Sequence, residues 1–381
     1  MKKIIYKTKK ITKHGFFWPV VSVFFFLLLV FFTDFGFIFS KSISYKQGEE
    51  IKKENKIEEK ESPKYLPLDK ELYDFKLNQL ANNPIPEKIE PKLDPETGEV
   101  LPVPPAKPNL WPVLGPYPKD GAILPFNRII AYYGNLYSKN MGVLGEFQED
   151  IMLQKLKTEV QAWTEADPST PALPALHYIA MTSQADPGKD GKYRARMPDK
   201  EIQKVLAMAE KINAIVFLDI QVGHSNIYDE LPYLEKYLIL PHVHLGIDPE
   251  WYMREEKKPG KYMGTMDASE INFAVDYLSN LVQENNLPPK ILVIHRFTQK
   301  MVTNYQNIKL TPEVQIVMHM DGWGGKAKKI GTYKHFIYKE PVQFTGFKIF
   351  YKNDIKEAGT TIFTPTELLK LNPIPIYIQY Q

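Results

Sequence analysis

Two carboxylates two residues apart, Asp248 and Glu250 on either side of Pro249, are the sharpest chemical feature of the chain. On one face of a strand they would lie close enough to repel. One pKa would then rise until that acid stays protonated near neutral pH. A protonated carboxyl of this kind is what cleavage of a glycosidic bond requires. Around the pair the sequence places Asp219, Gln221, His295 and Asp321, each at the end of a short apolar run. The same oxygens and imidazoles could hold Mg²⁺, Mn²⁺ or Zn²⁺ for metal-assisted hydrolysis, with His224 as a further ligand or a general base. Against that reading, no tight ligand spacing falls near them, because His242 and His244 stand at the start of their run.

The elements that must position these residues are eight β-rich segments, at 128–133, 175–182, 214–221, 243–248, 290–295, 314–321, 344–351 and 374–379. All but the last lead toward a helix-like stretch. Eight β-α units in about 260 residues predict an α/β protein of the (β/α)8-barrel type, with its chemistry at the C-terminal ends of the strands. Side chains alternate along a strand, so parity assigns faces. Asp219 and Gln221 fall opposite Val216, Leu218 and Ile220, and so point into the barrel. The same rule turns His244, Gly246, Asp248, Glu250, His319, Asp321 and Lys348 inward, and Tyr132 with them if Arg128 and Ile130 face in. Burying that many charges costs several kcal/mol each unless they pair, bind a metal or reach water at a mouth.

The expected loops agree with a mouth on one side. The stretches 134–147, 183–198 and 251–267 are long and polar, while returns such as 211–213 are short. Elaboration of one face is what a functional barrel needs. Glu250, Asp248, Asp219 and Asp321 are the expected catalytic set. Tyr132, Gln221, His224, Trp251, His295, Arg296, Trp323, Lys348 and Gln379 are expected to bind substrate, with the aromatics offering platforms for sugar rings.

At Asp248-Pro249-Glu250 the chain resembles the chitinase-type glycoside hydrolases, barrels whose fourth strand ends in Asp-x-Glu. Met318-His319-Met320-Asp321 is similar to the Met-x-Tyr-Asp that ends the sixth strand there. The resemblance implies that Glu250 protonates the leaving group and Asp248 orients an N-acetyl group of the substrate. The chain departs from that pattern at Val243, Gly246 and Met320, and its last strand ends in Gln379-Tyr380-Gln381. Separately, 217–224, 293–297 and 341–347 resemble a group of exported bacterial barrel proteins, which implies export and no particular reaction.

With 381 residues, the chain is long enough for a barrel and an additional N-terminal region. A net charge of +3 with no basic stripe speaks against a nucleic-acid partner. The absence of cysteine excludes disulfides, thiolate metal sites and a cysteine nucleophile. Residues 1–14 carry six lysines, and 15–39 are apolar and aromatic nearly throughout. This predicts an uncleaved single-pass membrane anchor with the N-terminus in the cytoplasm, a cleaved signal peptide being the alternative. Residues 40–118 then read as a charged and proline-rich linker, whose last part could be a strap on the barrel, and 119–381 as the barrel domain. The expected function is that of a membrane-anchored, extracytoplasmic glycosidase-like hydrolase acting on envelope polysaccharide without a cofactor. A metal-dependent hydrolase and a non-catalytic glycan- or peptide-binding barrel remain the alternatives.

Overall fold

Eight strands, each buried along most or all of its length, follow one another in the order the sequence spacing predicts. They are β1 (Arg128–Gly134), β2 (Ala172–Ser183), β3 (Ile215–Ile220), β4 (Val243–Ile247), β5 (Lys290–Arg296), β6 (Val314–Met320), β7 (Phe344–Ile349) and β8 (Tyr377–Tyr380). Neighbours pair in parallel throughout, and β1 pairs with both β2 and β8, so the sheet closes on itself. Runs such as Ile215-Val-Phe-Leu218 are apolar on both faces because one face meets the barrel interior and the other meets the helices. The computed structural model describes residues 65–85, 108–254 and 257–381.

The helix layer follows a 3.6-residue period. Helix α2 (Glu149–Ala166) buries Met152, Leu153, Leu156 and Trp163, and the Trp163 indole donates to Tyr380 Oη at 2.9 Å. Helix α3 (Asp199–Glu210) buries Ile202, Val205, Met208 and Ala209. Helix α4 (Ala268–Glu284) starts with a capping box, in which Asp267 and Glu270 each satisfy a backbone N–H that the helix leaves unpaired. A fourth, α5 (Lys326–Tyr333), runs straight into a π-helical turn, Lys334–Tyr338.

One further helix lies inside the stretch expected to be a linker. Helix α1 (Lys70–Ala81) is capped by Asp69, which accepts from Leu72 N, and ends at Asn82 in the left-handed region. Its residues Tyr73, Leu77 and Leu80 join Leu124, Ile129, Phe344 and Ile376 in one buried cluster at the N-terminal ends of the strands. Each such side chain stabilises the fold by roughly 1.5–3 kcal/mol. So α1 plugs the bottom of the barrel, and the expected linker contains a structural part. The strap reading suits its last portion: Trp111 is buried and donates to Tyr338 O at 2.9 Å. The predicted membrane segment at 15–39 lies outside the described residues. Among those described, no helix is long and apolar enough to cross a membrane.

Candidate active site

Beyond Ile247 the chain cannot continue as strand, because Pro249 has no N–H to donate. Asp248 instead caps a short 3₁₀ turn, Pro249–Trp251, accepting the Glu250 N–H at 3.1 Å. The two carboxylates therefore do not share a strand face as expected. Asp248 is buried at the strand end, and Glu250 stands partly exposed on the turn above it. Both still line one pocket of about 360 Å³ at the C-terminal mouth, with Asp321, Lys348, Tyr133 and Gln221 beside them. Trp251, Trp323, Phe297 and Phe350 also line it, and Asn140 and Met141 reach it from the loop after β1.

From the pocket wall downward runs a chain of buried polar groups. Lys348 Nζ lies 3.0 Å from Asp321 Oδ1 and 3.9 Å above the centre of the Tyr133 ring. Asp321 Oδ2 is 2.7 Å from His295 Nδ1. On its other side, His295 Nε2 approaches Asp219 Oδ1 at 3.6 Å, and His177 Nε2 approaches the same oxygen at 3.3 Å. Tyr133 donates its hydroxyl to Asp219 Oδ2 at 3.0 Å. Gly246 makes this crowding possible: a Cβ there would come within 2.4 Å of both Asp219 Oδ1 and His177 Nε2.

The environment pushes the acids apart. Burial raises the Glu250 carboxyl to about 7, and the neighbouring charge of Asp321 adds to the rise. Burial also lifts Asp248 well above the usual carboxylate range, with Glu250, Asp219 and Asp321 adding repulsion that His295 only partly offsets. For Asp321, Lys348 and His295 outweigh burial and hold the group low. Asp219 is likewise held low, because His295 and His177 outweigh its burial. Two carboxyls raised to neutrality or beyond, beside two held ionised, is the division of labour that acid catalysis needs. His177 is lowered to about 4 by burial and is neutral at pH 7.

Seven of the expected site residues line the pocket: Glu250, Asp248, Asp321, Gln221, Trp251, Trp323 and Lys348. Asp219 and His295 lie below its floor, fully buried. Gln379 is also fully buried, donating to Tyr377 Oη at 3.0 Å. Three expectations need correction. Tyr132 faces the helix layer, where it packs edge-on against Tyr351 and Tyr380, and its neighbour Tyr133 is the inward residue. Arg296 follows inward His295 and so points outward, where its guanidinium pairs with Glu340 at 2.5 Å and donates to the carbonyls of Gln299 and Phe336. His224 lies in the loop after β3, its Nε2 2.7 Å from Lys257 O, outside the pocket. A larger groove, about 650 Å³, lies near Arg296 between Lys300, Tyr305, His335 and Glu340, and none of the strand-end carboxylates lines it.

The sequence reading missed Tyr133 as an inward residue and His177 and Tyr377 altogether. His177 shares parity with Ala175 and Ile179, so it reads as one polar residue on an apolar face. Only its partner Asp219, two strand positions further along the next strand, reveals its role.

No family model matches the chain, and no curated protein matches it. Among solved structures it is similar to the cellulase Cel5C_n, at 10% identity and a TM-score of 0.39, covering 66% of this chain and 75% of that one. It is also similar to GH26C from a Muricauda species, at 9% identity and a TM-score of 0.29, covering 66% and 70% of the two chains. A ruminal GH26 endo-beta-1,4-mannanase follows at 11% identity and a TM-score of 0.26, covering 66% and 58%. Likeness this distant assigns no chemistry, which has to come from the residues of the site.

Proposed function

We propose that the chain is a glycosidase-like hydrolase with Glu250 as its general acid. The observation that carries this reading is the Glu250 carboxyl, raised to about 7 and open to the pocket, standing beside an Asp321 held ionised. In the proposed reaction Glu250 gives its proton to the glycosidic oxygen as the C–O bond breaks. The positive charge that develops on the sugar ring is stabilised by the Asp321 carboxylate. Glu250, now ionised, takes a proton from the water that completes hydrolysis, and so returns to its starting state. Asp248, kept neutral, is placed to hydrogen-bond an amide or hydroxyl of the substrate. Trp251 and Trp323 supply faces on which sugar rings stack.

The proposed setting is outside the cell, on a membrane anchor at 15–39, which rests on the lysine-rich start and the apolar run after it. Polysaccharide of the cell envelope is the substrate class that this setting brings within reach. The test is hydrolysis of peptidoglycan and N-acetylglucosamine oligomers by the full chain, with Glu250→Gln alongside. Cleavage by the parent, reduced about 10²–10⁴-fold in the variant, is the expected result. Absence of cleavage by the parent across these substrates would overturn the substrate class. Equal cleavage by both proteins would overturn the role of Glu250.

A further inference from the structure

Three buried atoms below the pocket floor point at one another without a hydrogen bond between them: His177 Nε2, Asp219 Oδ1 and His295 Nε2. All three side chains are fully buried. Unpaired polar atoms at such depth cost about 1–3 kcal/mol each, and one partner shared by all three would satisfy them together. Their spacing suggests which. The contacts of 3.3 and 3.6 Å are long for N–H···O bonds, which cluster near 2.9–3.0 Å. They match the edge of a coordination tetrahedron, about 3.3 Å when each bond to the ion is about 2.0 Å.

We propose that His177, Asp219 and His295 form a binding site for one divalent transition-metal ion of the zinc class. Each imidazole also has a buried partner at its other ring nitrogen. A ligating histidine donates its other ring N–H to a fixed partner, which sets its tautomer and orientation. His295 Nδ1 faces Asp321 Oδ2 at 2.7 Å, and His177 Nδ1 faces Tyr377 Oη at 2.6 Å and the Gln379 amide at 3.2 Å. The two imidazoles lie with their centroids 5.6 Å apart and their planes nearly perpendicular, at 83°, so they do not stack on each other. The second oxygen of Asp219 is taken by Tyr133, which leaves Oδ1 for the ion. Gly246 keeps the space beside Asp219 and His177 clear, since any side chain would press on both ligand atoms. Two neutral nitrogens and one carboxylate oxygen suit zinc and its neighbours better than Mg²⁺ or Ca²⁺, which favour all-oxygen sites. This donor set differs from the strand-end carboxylates that the sequence suggested: Asp248, Glu250 and Asp321 all line the pocket, and Asp321 reaches the new site only through His295 Nδ1.

The experiment equilibrates the full chain with Zn²⁺, removes free metal, and measures bound zinc per chain by mass spectrometry. Co²⁺ loading is followed in parallel by its visible absorption. One tightly held equivalent in the parent, lost in His177→Ala and Asp219→Asn, is the expected result. Tyr377→Phe keeps the ring in place and is expected to weaken zinc binding by about 10–100-fold. It remains informative if the ligand variants fail to fold. Failure of the parent to hold zinc or cobalt would overturn the proposal, and so would variants that keep the full equivalent. Bound metal is measured whether or not any polysaccharide is cleaved, so this result is independent of the proposed hydrolysis.

Discussion

The two ends of the barrel solve the problem of buried polar groups in opposite ways. At the N-terminal end the Gln315 amide closes on the backbone of Leu124, accepting from its N–H at 3.1 Å and donating to its carbonyl at 2.6 Å. Gln343 accepts from Ile316 N at 2.6 Å, and Lys290 Nζ donates to the carbonyls of Leu240 and Val243 at 2.6 and 3.0 Å. These groups tie backbone ends together beside the apolar plug of α1. At the C-terminal end, Asp248 and Glu250 are crowded by other carboxylates, and Asp219, His177 and His295 have atoms without partners. Most of the polar groups at the N-terminal end are bonded where they stand, Arg128 Nη2 and His244 Nε2 being exceptions. Those at the mouth are held in reserve, which is the physical signature of a site for chemistry.

The comparison can be broken at either end. The largest stability effect is expected at Asp321, whose removal strands the buried Lys348 ammonium and leaves His295 Nδ1 without its partner. Asp321→Ala should cost about 3–5 kcal/mol in urea unfolding. The contribution of this carboxylate has a definite pH dependence. Its folded pKa is below the ordinary value, so its stabilisation is present above the carboxylate range and is lost as pH falls through it. Next comes the plug. Leu77→Ala should cost about 2–5 kcal/mol by opening a cavity under the strands, with no change in the KM of any hydrolysis found. If that substitution altered KM as strongly as stability, the two ends would not be separate devices.

A smaller effect sits at Lys290, which burial lowers to about 7 from its ordinary 10.5. The unfolded chain then holds this proton more tightly than the folded one, so stability should rise as pH climbs from about 7 toward 10.5. Lys290→Met should flatten that rise in thermal melts taken across the range. An unchanged slope would show that this lysine is not the source.

How much of this could be read in the sequence follows from which faces are buried. The eight strands were legible because both faces of each are covered, which leaves unbroken runs such as Ile291-Leu-Val-Ile294. Inward parity was legible where a polar residue alternates with apolar ones, as at Asp219, His319 and Lys348. It failed on β1, where Tyr132 and Tyr133 are adjacent and equally aromatic, and only contact with Asp219, far along the chain, distinguishes them. Arg296 failed for the related reason that it follows inward His295, and two consecutive strand residues cannot share a face. Helix α1 carries its stripe at Tyr73, Leu77 and Leu80, but the charged run before it and the prolines after it gave the stretch the look of a spacer. The convergence of His177 with Asp219 and His295 depends on closure of the sheet, which no local pattern records.

The contrast between the two ends turns on one proton, and that proton can be followed directly. Infrared difference titration of the full chain, with Glu250→Gln as the reference, isolates the Glu250 carboxyl band. A midpoint near 7 is expected, with any hydrolytic activity falling as pH rises through it because the acid has lost its proton. A midpoint near the ordinary 4.5 would contradict the account: Glu250 would then be ionised at neutral pH and could not act as the proton donor.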